Sequence, residues 1–165
     1  MLHHGYAIYY AEFLKPYVQD RDRRRVICEF GVLNGTGLAI WCDLFPNARC
    51  IGFDVDLSNI EENMDNLLQS GAFSNSSPEL FEYDQFVYSE EYVKEILGGD
   101  RIDIVADDGN HSEKAIMTTL KSVTPHLNDR FVYFVEDNWD IHSVIENAYP
   151  DYVVRSDCGF TVITP

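Results

Sequence analysis

The sequence predicts an α/β fold, a doubly wound and mostly parallel sheet that ends in an antiparallel hairpin. Short apolar runs typical of buried strands alternate with longer segments that carry apolar residues at helical spacing. This alternation indicates βαβ units, in which helices connect parallel strands. The last two strand-like runs lie on either side of Cys158–Gly159, close enough to pair as a terminal hairpin.

The elements follow from these patterns in chain order. YAIYYAEFLKPY, with aromatic residues at helical spacing, predicts a helix over 6–17 in an N-terminal helical segment, residues 1–20, that packs on the body of the domain. The predicted strands cover 25–30, 49–55, 79–83, 101–106, 130–136, 152–156 and 160–164. The predicted helices between them cover 36–45, 58–70, 89–97, 112–127 and 140–149.

Two helix starts carry capping signals. Ser58 is the expected N-cap of the helix over 58–70, with Glu61 completing a capping box. Asn110 is the expected N-cap of the helix that follows DDGNH, with Glu113 three residues further on.

Length and composition limit the possible functions. The 165 residues suit one domain, and a hydrophobic content of 45% is typical of globular chains. The formal net charge of −16 disfavours a nucleic-acid or anionic-membrane partner, because phosphate binding needs a basic face. With no signal-peptide pattern and no apolar run of membrane-spanning length, we expect a cytoplasmic protein, and Cys28 and Cys50 are expected to be reduced core thiols.

The turn after the first strand, EFGVLNGTG, is rich in glycine. Gly31, Gly35 and Gly37 allow a tight turn and a close approach of the backbone to a ligand. The spacing differs from the G-x-G-x-x-G dinucleotide motif, and Glu29 places a negative charge where a pyrophosphate would lie. The turn therefore favours a ligand with an ammonium or sulfonium group.

Acidic or amide side chains follow the second and third strands as well. Asp54 stands at the end of strand two, the usual position of a carboxylate that holds ribose hydroxyls. Asp84 and Gln85 follow strand three and could bond an adenine amino group, although a solvated acidic loop is an equal alternative.

The fourth and fifth strands end in ADDGNH and VEDN. Their carboxylates, Asp107, Asp108, Glu136 and Asp137, should converge, because these strands are neighbours in a doubly wound sheet. Four such groups repel one another unless a cation lies between them, and Mg²⁺ or another hard divalent ion prefers oxygen ligands. The alternative is that some of them face solvent or cap helices. His111, beside this cluster, could take a proton from a hydroxyl.

These motifs together carry a resemblance. VICEFGVLNGTGLAIWCDLFPNARCIGFDVD resembles the first half of class I S-adenosylmethionine-dependent methyltransferases. Within that group it is similar to the macrocin- and mycinamicin-type sugar O-methyltransferases and their cephalosporin-hydroxylase-like relatives, with YDQ, DDGNH and VEDN in the same order. HHGYAIYYAEFL is similar to the helix that precedes the domain there.

The resemblance implies a Rossmann-like methyltransferase sheet and a role for each motif. Glu29, Gly31 and Gly35 would border the methionine part of S-adenosylmethionine, with Asp107 flanking it. Asp54 would hold the ribose, and Asp84 and Gln85 would lie by the adenine. Asp108, Glu136 and Asp137 would ligate Mg²⁺, and His111 would be the general base. The site residues implied are one catalytic residue, His111, and ten that bind the cofactor or the metal: Glu29, Gly31, Gly35, Asp54, Asp84, Gln85, Asp107, Asp108, Glu136 and Asp137.

The resemblance also implies a methyl acceptor, namely a hydroxyl of a sugar or small natural product. It further implies a homo-oligomer as a possible assembly. Larger relatives carry extra segments that shape the acceptor pocket, so recognition here would fall to the N-terminal helix, the 71–79 loop, Trp139 and a partner subunit. Two alternatives stay open: a catalytically inactive binding module of the same fold, and a metal-dependent hydroxylase or hydrolase that uses the same carboxylates.

Overall fold

A computed structural model of the protein describes residues 5–165. His3, His4 and the start of the predicted N-terminal helical segment lie outside the described residues. The helices are α1 Ala7–Val18, α2 Thr36–Leu44, α3 Ser58–Gln69, α4 Glu90–Leu97, α5 Glu113–Val123 and α6 Ile141–Ala148. The strands are β1 Val26–Phe30, β2 Arg49–Asp54, β3 Glu79–Glu82, β4 Ile102–Asp107, β5 Leu127–Val135, β6 Val153–Asp157 and β7 Phe160–Thr164.

The seven strands form one sheet in the order β3-β2-β1-β4-β5-β7-β6. Strands β1 to β5 are parallel to one another, and β7 runs antiparallel to both β5 and β6. This confirms the predicted doubly wound sheet with its terminal hairpin. The strand order reverses between β1 and β4, which is the position where open α/β sheets bind ligands.

Apolar side chains cover both faces of the sheet. One core cluster packs α1, α2 and α3 on one face, and the other packs α4, α5 and α6 on the opposite face. Neighbouring residues of β1 alternate between the two, since Ile27 belongs to the first cluster and Cys28 to the second. Cys28 and Cys50 are buried free thiols, as predicted.

The hairpin turn is formed by two residues. Cys158 and Gly159 have φ of 49° and 81°. Positive φ at both central residues of a two-residue turn matches the right-handed twist of the flanking strands.

Three local predictions were wrong. The predicted helix over 112–127 ends at Val123, and a 3₁₀ turn over Thr124–His126 leads into β5, which begins at Leu127. Pro125 lacks the N–H that a longer helix would need.

The other two errors concern caps. Ser58 is the first helical residue rather than the N-cap, and Asp56 accepts a hydrogen bond from its N–H at 2.9 Å. Ser112, not Asn110, caps α5 by accepting from the Ala115 N–H, while Asn110 Oδ1 accepts from the N–H and hydroxyl of Ser112. In both cases the side chain two residues upstream forms an Asx turn that leads into the helix.

Among residues 5–165, no helix is both long enough and apolar enough to span a bilayer.

Candidate active site

A cavity of about 650 Å³ opens at the carboxyl edge of the sheet, around the switch point between β1 and β4. Its size is in the range of sites for small molecules and cofactors. Most of the residues predicted from the sequence line it, namely Glu29, Gly31, Asp54, Asp84, Gln85, Asp108, His111 and Glu136. Gly35, Asp107 and Asp137 are not part of this lining.

The glycine turn after β1 is packed tightly against the turn after β4. Gly31 has φ of 90°, and a Cβ at this position would collide with the Asp108 carbonyl and Gly109. Gly35 has φ of 79° and is the N-cap residue of α2, where a Cβ would lie 2.6 Å from the Ile60 side chain. Gly31 therefore shapes the cavity wall, whereas Gly35 serves the packing of α2 on α3.

Glu29 is a buried carboxylate at the cavity wall. It is 5% exposed, and its Oε2 has no hydrogen-bond partner among the described residues. A Cβ at Gly37 would collide with its Oε1, so the absence of a side chain there leaves room for the carboxylate. Burial, followed by the charges of Asp108 and Glu136, raises the pKa of Glu29 well above its usual value. A cationic group bound in the cavity would offset the cost of keeping this buried carboxylate charged.

Asp54 organises the loop that follows β1. Its Oδ2 accepts hydrogen bonds from the N–H groups of Val32 and Leu33 at 2.9 and 3.0 Å. Its Oδ1 accepts only a long bond from the Asp56 N–H, at 3.3 Å. The carboxylate lines the cavity and keeps lone pairs for hydroxyl donors.

Asp84 and Gln85 differ in what they offer to a ligand. Asp84 is exposed at the cavity, and its Oδ1 accepts from the Phe86 N–H at 2.8 Å. Gln85 is buried and donates both Nε2 hydrogens, to Asp107 at 2.7 Å and Thr119 at 3.1 Å. Its Oε1 accepts from the Asn110 N–H at 2.6 Å. The Gln85 amide therefore makes hydrogen bonds within the protein, a structural role that the sequence did not predict.

Asp107 is buried in the core next to the cavity and does not line it. It is almost completely buried and accepts hydrogen bonds from Gln85 and from the Tyr133 hydroxyl, the latter at 2.9 Å. Burial raises its pKa to about 7, while the two hydrogen bonds act in the opposite direction. Successive side chains at a strand end point in opposite directions, so Asp107 faces the core while Asp108 lines the cavity. That Asp107 flanks the methionine end of a cofactor stays a prediction.

A possible metal site joins the turns after β4 and β5. One ligand atom each from Asp108, His111 and Asp137 lies within 4.8 Å of the others. The sequence predicted Asp108 and Asp137 as ligands and His111 as a neighbouring base, and the structure brings all three together. Asp137 has φ of 55°, an uncommon conformation for a residue with a side chain.

Glu136, the third predicted ligand, is outside this group. It is buried in the cavity wall, where its Oε1 accepts a hydrogen bond from the Tyr10 hydroxyl at 2.6 Å. Burial and the charge of Asp108 raise the pKa of Glu136 to about 6, against the effect of this hydrogen bond.

Two tyrosines of the N-terminal segment were missed from the sequence. Tyr6 donates to Asp137 Oδ1 at 2.6 Å, and Tyr10 donates to Glu136. Their spacing of four residues places both hydroxyls on one side of α1. The sequence signal that could have predicted these contacts is the i, i+4 tyrosine pair on a buried face, because a buried hydroxyl needs a polar partner.

The architecture is the class I methyltransferase fold. A mycinamycin-pathway methyltransferase in complex with Mg, S-adenosylhomocysteine and mycinamycin VI superposes with a TM-score of 0.70 at 18% identity, covering 96% of this chain and 48% of that one. A protein from Staphylococcus aureus described as a possible caffeoyl-CoA O-methyltransferase superposes with a TM-score of 0.69 at 11% identity, over 94% of this chain and 82% of that one. No protein-family model matches the chain.

Sequence comparison leads to sugar O-methyltransferases. The chain is 26% identical to the 8-demethyl-8-α-L-rhamnosyl tetracenomycin-C 2'-O-methyltransferase of Streptomyces olivaceus, over 95% of this chain and 39% of that protein. It is 24% identical to the mycinamicin VI 2''-O-methyltransferase of Micromonospora griseorubida, over 82% of this chain and 32% of that protein. The chain therefore corresponds to less than half the length of these curated relatives.

Proposed function

We propose that this chain forms the catalytic core of an S-adenosylmethionine-dependent O-methyltransferase that modifies a hydroxyl of a sugar or small natural product with the help of a divalent cation. The observation that carries the proposal is Glu29, a buried carboxylate at the wall of a cofactor-sized cavity, one of whose oxygens has no hydrogen-bond partner within residues 5–165. A ligand ammonium group supplies the positive charge and the hydrogen-bond donor that this oxygen lacks.

The cofactor would lie across the ends of β1, β2 and β3. Glu29 would accept hydrogen bonds from the ammonium group, Asp54 from the ribose hydroxyls, and Asp84 from the adenine amino group. Gly31 has no side chain, so a ligand could approach the backbone closely at this position. S-adenosylmethionine, when bound, supplies an electrophilic methyl group on a positively charged sulfur.

A hard divalent cation suits the donor set at the turns after β4 and β5. Asp108 and Asp137 offer carboxylate oxygens close together, and the nearby Glu136 adds negative charge. When bound there, Mg²⁺ would orient the acceptor hydroxyl and lower its pKa. Tyr6 and Tyr10 hold two of these carboxylates in position through their hydroxyls.

His111 would complete the acid–base chemistry. Its side chain lies beside Asp108 and Asp137, where an acceptor hydroxyl would be held. It would accept the proton that the acceptor hydroxyl loses, while bound S-adenosylmethionine would supply the methyl group and keep the electrons of the broken carbon–sulfur bond on its sulfur. Holding the two reacting groups together supplies much of the rate. The cytoplasmic location, the single domain and the possible homo-oligomer remain predictions.

The proposal is tested by methyl transfer. The protein is incubated with S-adenosylmethionine, MgCl₂ and the rhamnosyl acceptor that the Streptomyces olivaceus relative's name specifies, and the product is detected by mass spectrometry. We expect addition of one methyl group, loss of transfer on chelation with EDTA, and recovery when MgCl₂ is restored.

The other outcomes identify the alternatives. Cofactor binding without transfer to any of a panel of sugar acceptors would favour the inactive binding module. Conversion of an acceptor in the absence of S-adenosylmethionine would favour a hydroxylase or hydrolase. Glu82→Ala is the matched control for Asp54→Ala and should keep the wild-type activity. Glu82 is the exposed residue paired with Asp54 in the neighbouring strand, and it does not line the cavity.

A further inference from the structure

Trp139 is the most exposed aromatic side chain in the described part of the chain, with 68% of its surface accessible. It lies in the loop between β5 and α6, two residues after Asp137 of the possible metal site. An exposed indole leaves a large apolar area in water, which ligand binding would cover.

Hydrogen bonds of the neighbouring residue Asn138 fix the loop that carries Trp139. The Asn138 side chain donates to the His111 carbonyl at 2.7 Å, and the Asn138 N–H donates to the Gly159 carbonyl at 3.0 Å. Asn138 Oδ1 also accepts from the N–H groups of Asp140 and Ile141 at the start of α6. The indole is therefore attached to a backbone that is fixed relative to His111 and to the terminal hairpin.

The ring itself rests against the hairpin turn. A Cβ at Gly159 would lie 3.2 Å from indole Cε2 and Nε1 and 3.4 Å from the Tyr6 hydroxyl. That hydroxyl is the one that donates to Asp137. The indole and the Tyr6 hydroxyl that reaches Asp137 therefore both lie close to Gly159, and the absence of a side chain at Gly159 makes room for the ring.

The charge of the neighbouring cavity restricts what can stack on this ring. Five carboxylates and His111 line the cavity, and no Lys or Arg is among the described lining residues. One divalent cation would offset only two of these negative charges, and no cationic side chain lies in the described lining, so a phosphorylated or otherwise anionic acceptor would still meet repulsion. An uncharged ring with polarised C–H bonds on one face matches the negative face of an indole.

We propose that Trp139 is an acceptor-binding residue whose indole packs against an uncharged pyranose ring and turns one of its hydroxyls toward Asp108, His111 and Asp137. This inference rests on the proposed function, because it assigns the acceptor-binding surface of that same site. It gives Trp139 a role in acceptor affinity and orientation and none in cofactor binding.

The first test uses fluorescence and needs no turnover. The protein has two tryptophans, and Trp41 is 2% exposed, so quenching by acrylamide reports mainly on Trp139. Acrylamide is neutral and is not repelled by a chain of net charge −16. With S-adenosylhomocysteine and MgCl₂ present, methyl α-L-rhamnopyranoside should protect the exposed tryptophan saturably, while α-L-rhamnose 1-phosphate should not. Absence of protection by the methyl glycoside, or equal protection by the phosphate, overturns the proposal.

The second test separates affinity from turnover. Trp139→Ala should raise the KM for the acceptor about tenfold or more and change kcat by less than about threefold, since one aromatic packing surface is lost. Trp139→Phe should recover most of the affinity. Tyr92→Ala, at an exposed aromatic on α4, is the matched control and should behave as wild type. A fall in kcat with unchanged KM would show a structural role instead.

Failure of this inference can be told apart from failure of the proposed function. Calorimetric titration with S-adenosylhomocysteine measures the cofactor site alone, and Trp139→Ala should leave that affinity unchanged. Cofactor binding without protection of Trp139 rejects the inference and leaves the proposed function standing. Absence of cofactor binding rejects the proposed function, and the fluorescence result still decides whether Trp139 binds the sugar.

Discussion

At the scale of single residues, the site depends on which of two adjacent carboxylates faces the cavity. Asp107 turns inward to Gln85 and Tyr133, whereas Asp108 reaches the cavity beside His111. The sequence could predict that both lie at the end of a strand, since DDG follows an apolar run. Strand alternation predicts that they point in opposite directions, but it does not predict which of the two faces the cavity, because that depends on which side of the sheet end the ligand cavity forms.

His111 and Asp137 are expected to respond differently to substitution. Asp137→Asn removes a charged ligand and should weaken Mg²⁺ binding about tenfold to a hundredfold, with loss of methyl transfer. His111→Ala should lower kcat about a hundredfold while Mg²⁺ affinity changes little, because the imidazole is assigned to proton transfer. Calorimetric titration of MgCl₂ together with steady-state kinetics separates the two. Equal loss of Mg²⁺ affinity in both variants would make His111 a ligand and remove it as the base.

Glu29 is expected to stabilise a bound cofactor and destabilise the free protein. Its pKa is raised in the folded state, so the folded state binds more protons and stability falls as the pH rises from the usual carboxyl range through the raised pKa. Glu29→Gln should remove the Glu29 contribution to this dependence, leaving those of Asp107 and Glu136, and raise the free energy of unfolding at neutral pH by about 1 kcal/mol. Urea unfolding across a pH series measures both effects. A Glu29→Gln protein less stable than wild type at neutral pH would contradict the assignment.

At the scale of elements, the order of strands and helices was predictable and the tertiary role of α1 was not. Apolar runs and turn signals locate each element to within a few residues, although both predicted capping residues were wrong. The pattern of α1 shows only that one face is apolar. It does not show that the hydroxyls of Tyr6 and Tyr10 reach the turn after β5, because that contact spans more than a hundred residues of chain.

The hydroxyls of α1 provide a matched pair for measuring this role. Tyr10 donates to Glu136 in a buried position, whereas Tyr9 donates to Asp157 at the surface. Tyr10→Phe leaves a buried carboxylate oxygen without its donor and should lower the free energy of unfolding by about 1–2 kcal/mol. Tyr9→Phe should cost less than about 0.5 kcal/mol, since water replaces the lost donor. Chemical denaturation of both variants tests this, and equal costs would argue against a positioning role for α1.

At the scale of the whole molecule, the negative charge should draw the cationic cofactor toward the cavity. The formal charge of −16 and the carboxylates around the cavity produce a field that attracts cations. S-adenosylmethionine carries one more positive charge than S-adenosylhomocysteine. Raising the ionic strength from about 0.01 to 0.15 M shortens the Debye length from about 30 to 8 Å.

The association rate of S-adenosylmethionine should therefore fall several-fold over this salt range, and that of S-adenosylhomocysteine should fall less. Stopped-flow measurement of both ligands at matched temperature provides the comparison. Equal salt dependence for the two would show that the net charge does not steer the cofactor.

The central claim is that the cavity at the β1–β4 switch point binds S-adenosylmethionine, and calorimetric titration with S-adenosylhomocysteine tests it most directly. We expect a Kd in the micromolar range or tighter, equivalent to about −8 kcal/mol, in wild type and in Glu82→Ala. Glu29→Gln and Asp54→Ala, checked for folding by circular dichroism, should lose most of that affinity. No detectable heat from the wild-type protein at about 100 μM would place the binding free energy weaker than about −5.5 kcal/mol and would contradict the account.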